Sequence, residues 1–241
     1  MDVYFITGVS KGIGFELARQ LSEKGNVVIG VARTKPELTG GVFIKSNLAE
    51  TEKLGNLLDV FFASVPESVT SYTLINNAGV VDPIGLVGTV DPSEMANAIA
   101  INLTAPMVLS NGFISRLKDF KGSKRIMSIS SGAGRSEYEG WGTYCATKAG
   151  VDHFTRVIAL EQSKEEYPVE IVSIAPGIID TGMQERIRAS DTKDFPLLER
   201  FIDFKEQGQL ASAQKTAEKL INFMDVEEFS TVGAIVDIRD F

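Results

Sequence analysis

Tyr144 and Lys148 stand four residues apart in Tyr144-Cys145-Ala146-Thr147-Lys148, so on a helix they leave the same face one turn apart. A phenol ordinarily titrates near ~10 and is a poor acid-base group at neutral pH, but a neighbouring ammonium favours the phenolate and lowers that value. The pair therefore reads as a general acid in a reduction and a general base in the reverse oxidation. Upstream, Ser130-Ser131-Gly132 follows an apolar run, and a hydroxyl there can hydrogen-bond a carbonyl oxygen. Ser131 is the group assigned to polarise that carbonyl.

A second chemical signal lies near the N-terminus. The run Val3 to Ile6 leads straight into Thr7-Gly8-Val9-Ser10-Lys11-Gly12-Ile13-Gly14, a GxxxGxG spacing that opens a helical pattern. Glycines let the backbone turn tightly and approach a pyrophosphate, and the free N–H groups of a helix start favour an anion. Gly8, Ser10, Lys11, Gly12, Ile13 and Gly14 are thus expected to hold a dinucleotide. The second apolar run ends Gly30-Val31-Ala32-Arg33-Thr34. An acid at this point would bind a ribose 2′-hydroxyl, whereas a cation suits a 2′-phosphate. Arg33, with Lys11 as a second positive charge near the same phosphate, selects NADP(H) over NAD.

These residues need a frame. Short apolar runs recur at Val3 to Ile6, Val27 to Val31, Val42 to Ile44, Tyr72 to Ile75, Arg125 to Ile129, Glu170 to Ile174 and Ala234 to Ile238. Their length and β-branching mark buried strands. Helical periodicity lies between them, as in Ile13, Leu17, Ala18 and Leu21, and in Leu54, Leu57, Leu58, Phe61 and Phe62. Alternation of this kind predicts one α/β domain over residues 1–241: a Rossmann-type, doubly wound, seven-stranded parallel sheet with helices on both faces. One stretch interrupts it. Residues 181–208, after Pro176-Gly177, are charged and weakly periodic, with Phe195, Leu197, Leu198, Phe201, Ile202 and Phe204 scattered through them. Ligands of open α/β sheets bind beyond the carboxyl ends of the strands, so this segment is expected to form a helical flap over the substrate.

Composition narrows the partners. The 241 residues carry 24 Lys+Arg against 32 Asp+Glu, a formal charge of -8, the wrong sign for a nucleic-acid binder. Cys145 is the single cysteine and there is one histidine, so no intrachain disulfide or soft-ligand metal site is expected, and a reducing cytoplasm is the expected compartment. The N-terminus lacks the pattern of a signal peptide, and no segment is read as reaching the ~18 apolar residues of a membrane span.

Taken jointly and in order, these motifs resemble the short-chain dehydrogenase/reductase family over essentially the whole chain. The resemblance places the family's glycine motif on Thr7, Gly8, Gly12 and Gly14, its Asn-Asn-Ala-Gly on Asn76, Asn77, Ala78 and Gly79, and its active-site tetrad on Asn102, Ser131, Tyr144 and Lys148. It implies that Asn102 binds a water linking Lys148 to solvent, that Lys148 holds the nicotinamide ribose, and that Pro176, Gly177, Ile179 and Thr181 contact the nicotinamide end. Asn47 stands where the family usually has an Asp facing the adenine, and its amide oxygen is expected to accept the same hydrogen bond. The segments Gly140 to Cys145 and Ala175 to Gln184 resemble the sepiapterin reductase and benzil reductase branch.

What this implies is an NADPH-dependent carbonyl reductase acting on a ketone or diketone, acting as a homodimer or homotetramer. A regulatory NADP(H)-binding protein and an oxidative hydroxyl dehydrogenase remain the alternatives. Val80, Val81, Ile84, Tyr138, Trp141 and Met183 are the expected pocket wall, with core packing the competing role for each.

Overall fold

Strands buried on both faces must lie inside a sheet whose two sides are covered, and the apolar runs do so. The computed structural model describes residues 1–37 and 40–241. In chain order the elements begin β1 (Asp2–Thr7), α1 (Gly12–Glu23), β2 (Val27–Ala32), β3 (Val42–Lys45), α2 (Leu54–Ala63) and β4 (Ser71–Asn76). They continue α3 (Pro92–Ile99), α4 (Ala105–Arg116), β5 (Ser123–Ile129), α5 (Gly142–Gln162), β6 (Glu170–Ala175), β7 (Ile179–Asp180) and α6 (Gly182–Arg188). The chain closes with α7 (Leu198–Glu206), β8 (Ala211–Ser212), α8 (Ala213–Val226), α9 (Phe229–Val232) and β9 (Ile235–Asp237).

Seven strands form one parallel sheet in the order β3-β2-β1-β4-β5-β6-β9. This is the expected architecture, with one difference: the crossover from β2 to β3 carries no helix among its described residues. Nine residues between the two strands are too few for the usual crossover helix. On one face Leu17 and Leu21 of α1 pack with Leu220 and Ile221 of α8. On the other, Leu57 and Phe61 of α2 meet Leu109 and Phe113 of α4, and Phe61 stacks on Phe5 of β1 with ring centroids 4.3 Å apart. Each fully buried aromatic or aliphatic side chain of this kind contributes about 1.5–3 kcal/mol.

α3 and α4 are two parts of one long helix joined by a π-helical segment, Ala100–Thr104. The whole stretch Pro92–Arg116 is long and apolar enough to cross a membrane by length and mean hydropathy, contrary to the sequence expectation that no segment qualifies. Half of its most apolar window is buried inside the protein, because α4 packs against the sheet through Ala105, Leu109 and Phe113.

Residues 181–208 fold as α6, α7 and their connecting turns. β7 pairs with β8 in a two-stranded parallel ribbon, Ile179 opposite Ala211, which closes the excursion at its base. Its apolar side chains form a third cluster with Val81, Ala133, Trp141 and Tyr144, at the carboxyl end of the sheet.

Candidate active site

The carboxyl ends of β1 and β4 are stitched together before any ligand arrives. Thr7 Oγ1 accepts from the backbone N–H groups of Asn77, at 3.0 Å, and Ala78, at 3.1 Å, while Asn77 Nδ2 donates to Thr7 O at 2.9 Å. Gly14 is required by this crossing: a Cβ there would lie 2.3 Å from Asn77 Nδ2 and 2.4 Å from Gly8 O. Gly8 has φ +77° and a Cβ on it would meet Ala78 Cα at 2.8 Å. The glycines therefore bring the two loops into contact and keep backbone exposed where a pyrophosphate would approach. The start of α1 has no side-chain cap and no acid in its first turn, so its free N–H groups stay available to an anion. These features fit a dinucleotide.

The sequence-assigned binding residues divide between two regions. Lys11, Gly12, Ile13, Asn77, Gly79, Pro176, Gly177, Ile179 and Thr181 line one cavity of about 470 Å³ together with Ser131, Tyr144 and Lys148. Gly8, Ser10, Gly14, Ala78, Arg33 and Asn47 lie outside its lining. Arg33 is exposed just past β2, beside the glycine loop, since Gly8 N–H donates to Val31 O at 2.7 Å. Lys11 Nζ lies 3.1 Å from the place a Cβ on Gly182 would take, at the start of α6. A long flexible stem lets the ammonium reach this side of the cavity. Asn47 Oδ1 accepts the Ala49 N–H at 3.3 Å, which leaves one lone pair for the adenine contact expected of it.

Tyr144 and Lys148 occupy one face of α5, both nearly buried, at 6% and 5% exposure. The phenol lies beside the Ser131 hydroxyl, which lowers its pKa, and Ser131 Oγ accepts the Ala133 N–H at 3.1 Å. Lys148 Nζ donates to Ile129 O at 2.8 Å and sits 5.7 Å from the centre of the Tyr144 ring. This geometry overturns the expected lowering of the phenol by Lys148: burial pushes Tyr144 up to about 12, against which the Ser131 hydroxyl is the opposing influence. Burial likewise holds Lys148 down at about 8, partly offset by the carboxylate of Asp152. In the protein without a bound cofactor the phenol is thus a protonated acid across the neutral range.

Asn102 sits in the π-helical segment, 1% exposed. Its Oδ1 accepts the Val80 N–H and its Nδ2 donates to Val80 O, both at 2.8 Å, and Nδ2 also approaches Thr147 Oγ1 at 3.4 Å. The side chain clamps the loop after β4 to α5. Gly79 is confined between these groups, a Cβ there being 3.4 Å from Asn102 Oδ1 and 3.7 Å from Lys148 Nζ. Single π turns of this kind concentrate at functional sites.

Sequence reasoning missed the brace below the site. Asp152, 1% exposed and one turn beyond Lys148, accepts from Ser173 Oγ at 2.6 Å and from Arg135 Nε at 3.1 Å. Arg135 also donates to Val236 O at 3.0 Å. The turn carrying Ser131, the helix carrying Tyr144 and the edge strand β9 are tied together by this one ion pair.

The expected pocket wall is half correct. Tyr138, Trp141 and Met183 line the cavity, whereas Val80, Val81 and Ile84 do not. Val81 and Ile84 instead pack in the third apolar cluster, and Val80 is held by its backbone. Trp141 is both lining and core: it stacks on Phe195 at 4.8 Å and meets Phe201 edge-on at 5.1 Å and Tyr144 at 5.5 Å. Arg200, Phe201, Phe204, Asp237 and Arg239 also line it, from elements that gave no chemical motif. Among the described residues no cluster of three or more potential metal ligands occurs.

The sheet order, the glycine crossing and the Ser-Tyr-Lys convergence define a nicotinamide-dependent oxidoreductase of the Rossmann type. The sequence profile of the short chain dehydrogenase family matches residues 2–192, and the chain belongs to that family, whose members act on carbonyl and hydroxyl groups. It is 40% identical to a benzil reductase ((S)-benzoin forming) of Bacillus cereus over the full length of both chains. It is 32% identical to the sepiapterin reductase of Meriones unguiculatus, covering 99% of this chain and 96% of that one. A short-chain dehydrogenase/reductase from Saccharomyces cerevisiae superposes with a TM-score of 0.86 at 26% identity, covering 100% of this chain and 97% of the other.

Proposed function

We propose that the protein is an NADPH-dependent reductase of aromatic ketones and vicinal diketones, yielding the hydroxy compound. The observation that carries this is the convergence of Ser131, a buried protonated Tyr144 and Lys148 on a cavity with an aromatic wall. The likeness to a benzil reductase over full length supports the diketone. When bound, the cofactor supplies the hydride.

The protein's own residues do the rest. Ser131 donates to the carbonyl oxygen, and Tyr144 transfers its proton to that oxygen as negative charge develops there. Lys148, donating to Ile129 O, holds the strand end beneath the phenol ring and would bind the nicotinamide ribose, while Asn102 fixes the Val80 loop against α5. Gly12, Ile13, Thr181 and the start of α1 would cradle the pyrophosphate, and Arg33 the 2′-phosphate. The α6–α7 excursion over the cavity serves as the substrate flap. Burial keeps the phenol protonated, the form a reduction uses. A regulator without turnover has no use for such an acid. The exposed Val157 and Leu160 on the outer face of α5 support self-association, and we read the enzyme as cytoplasmic.

The test is NADPH consumption with benzil. Wild type should turn over, and Tyr144→Phe should lose on the order of 10²-fold or more in kcat with NADPH affinity nearly intact. A Tyr144→Phe variant as fast as wild type removes the acid from this role.

A further inference from the structure

The cavity is electrically unlike the rest of the molecule. In a chain of formal charge -8, its lining holds Lys11, Lys148, Arg200 and Arg239 against a single carboxylate, Asp237. That carboxylate is already taken: Arg239 grips it through two contacts, Nη2 to Oδ2 at 2.6 Å and Nε to Oδ1 at 2.8 Å. Lys148 is held on the catalytic floor by Ile129 O, and Lys11 reaches across to the start of α6 beside Gly182. Arg200 is the cation at the far end of the aromatic wall.

Arg200 enters none of the ion pairs among the described residues, although its own helix offers Asp203 at the i+3 position that such pairs favour. Its guanidinium lies instead over the ring of Phe204, 5.4 Å from the centre. A guanidinium stacked by its face keeps its N–H edge free, and that edge matches a carboxylate two bonds at a time. The stack is anchored: Phe204 meets Phe201 at 5.6 Å, Phe201 meets Trp141 at 5.1 Å, and Trp141 meets Tyr144 at 5.5 Å. A continuous aromatic wall thus runs from the proton donor to a cation free to bind.

Resting on the reading of the site as a carbonyl reductase, we propose that Arg200 is a specificity residue for an anionic substrate: an aromatic ketone or diketone whose far end bears a carboxylate. The carbonyl sits at Ser131 and Tyr144, the aromatic body lies along Trp141 and Phe201, and the carboxylate reaches the Arg200 edge. The same guanidinium chemistry would also suit a cofactor phosphate, so the test must separate the two sources.

The experiment compares kcat/KM for benzil and for its 4-carboxy analogue, at low and high salt, in wild type, Arg200→Gln and Arg200→Lys, with KM for NADPH measured alongside. Wild type should prefer the carboxylated diketone about tenfold at low salt, as a partly solvated charge-assisted pair allows, and added salt should shrink the preference. Arg200→Gln should bring the ratio to about one, and Arg200→Lys should keep part of it. An equal ratio in wild type and Arg200→Gln overturns the proposal, as does a rise in NADPH KM with the ratio unmoved, which would assign the guanidinium to the cofactor. No turnover of either diketone by wild type would overturn the reductase reading itself, a result distinct from turnover of both without preference.

Discussion

Replacing Lys148 by Met separates what the ammonium costs the fold from what it does for the reaction. The group, ordinarily at 10.5, is held at about 8 by burial. The folded protein therefore releases this proton well before the unfolded chain does. Below pH 8 both states carry it and the folded state bears the full penalty of a buried charge. Between 8 and 10.5 the unfolded chain binds the proton alone, so stability rises with pH. At about 1.4 kcal/mol per tenfold ratio, the penalty is about 3 kcal/mol at pH 7, and raising the pH to 10 relieves about 2.5 kcal/mol of it. Lys148→Met has no such group, keeps a similar apolar stem, and loses the hydrogen bond to Ile129 O, at a cost of about 1–3 kcal/mol. At pH 7 the variant should therefore be as stable as wild type or slightly more so, and at pH 10 clearly less stable. Tyr144 titrates in both proteins and cancels. Urea unfolding of the two at pH 7 and pH 10 reads the difference directly, while reductase activity should be lost in the variant at both. Unfolding free energies that stay parallel between the two pH values would refute the reasoning, because they would mean that Lys148 keeps an ordinary proton affinity.

Arg33→Asp should weaken NADPH binding and relatively favour NADH, as a fluorescence titration of both cofactors would register; equal dissociation constants before and after would take the 2′-phosphate away from Arg33. Trp141→Ala should lower stability by about 3–5 kcal/mol, since the ring is 5% exposed and packs on Phe195 and Phe201. It should also depress kcat/KM for an aromatic diketone about tenfold more than for a small aldehyde. Equal losses on the two substrates would leave Trp141 a core residue alone.

The strands were legible because parallel strands covered on both faces have no polar side to show: β1, β2, β4 and β6 are buried at nearly every position and read as mostly apolar runs, with only small polar residues such as Thr73 and Ser173 among them. The Tyr144–Lys148 pair was legible because helical spacing alone places both on one face. Asn102 was not, since its place depends on a π turn, and a helix with one extra residue per turn has no sequence period of its own. Asp152 was not, because a carboxylate one turn past Lys148 looks like an ordinary solvated charge until Arg135 and Ser173, from elsewhere in the chain, arrive beside it. The pocket wall failed on its aliphatic half for a related reason. Val81 and Ile84 follow the site closely in sequence, but part of the wall comes instead from α7, where Phe201 and Phe204 lie three residues apart and carry no chemical mark. The expected influence of Lys148 on Tyr144 failed on orientation: the ammonium turns to Ile129 O, and desolvation of the phenol then dominates.

The cavity lies along a seam between two bodies of packing, and that placement links recognition to chemistry. Beneath it are the sheet ends, fixed by Thr7 to Asn77, Asn102 to Val80 and Arg135 to Asp152. Above it is the third apolar cluster, which draws Ile187, Phe195, Leu198 and Phe201 from residues 181–208 and Val81, Ala133, Trp141 and Tyr144 from the body. Trp141 caps the start of α5, with its ring against Phe195 and Phe201 on one side and Tyr144 on the other. Interiors at close-packed density transmit displacement rather than absorb it, so a shift of α7 cannot leave the Trp141 ring, and hence the phenol it abuts, where they were. A substrate seated against Arg200 and Phe204 would lie three aromatic contacts from the proton donor, while the body's own hydrogen bonds hold Ser131 and Lys148.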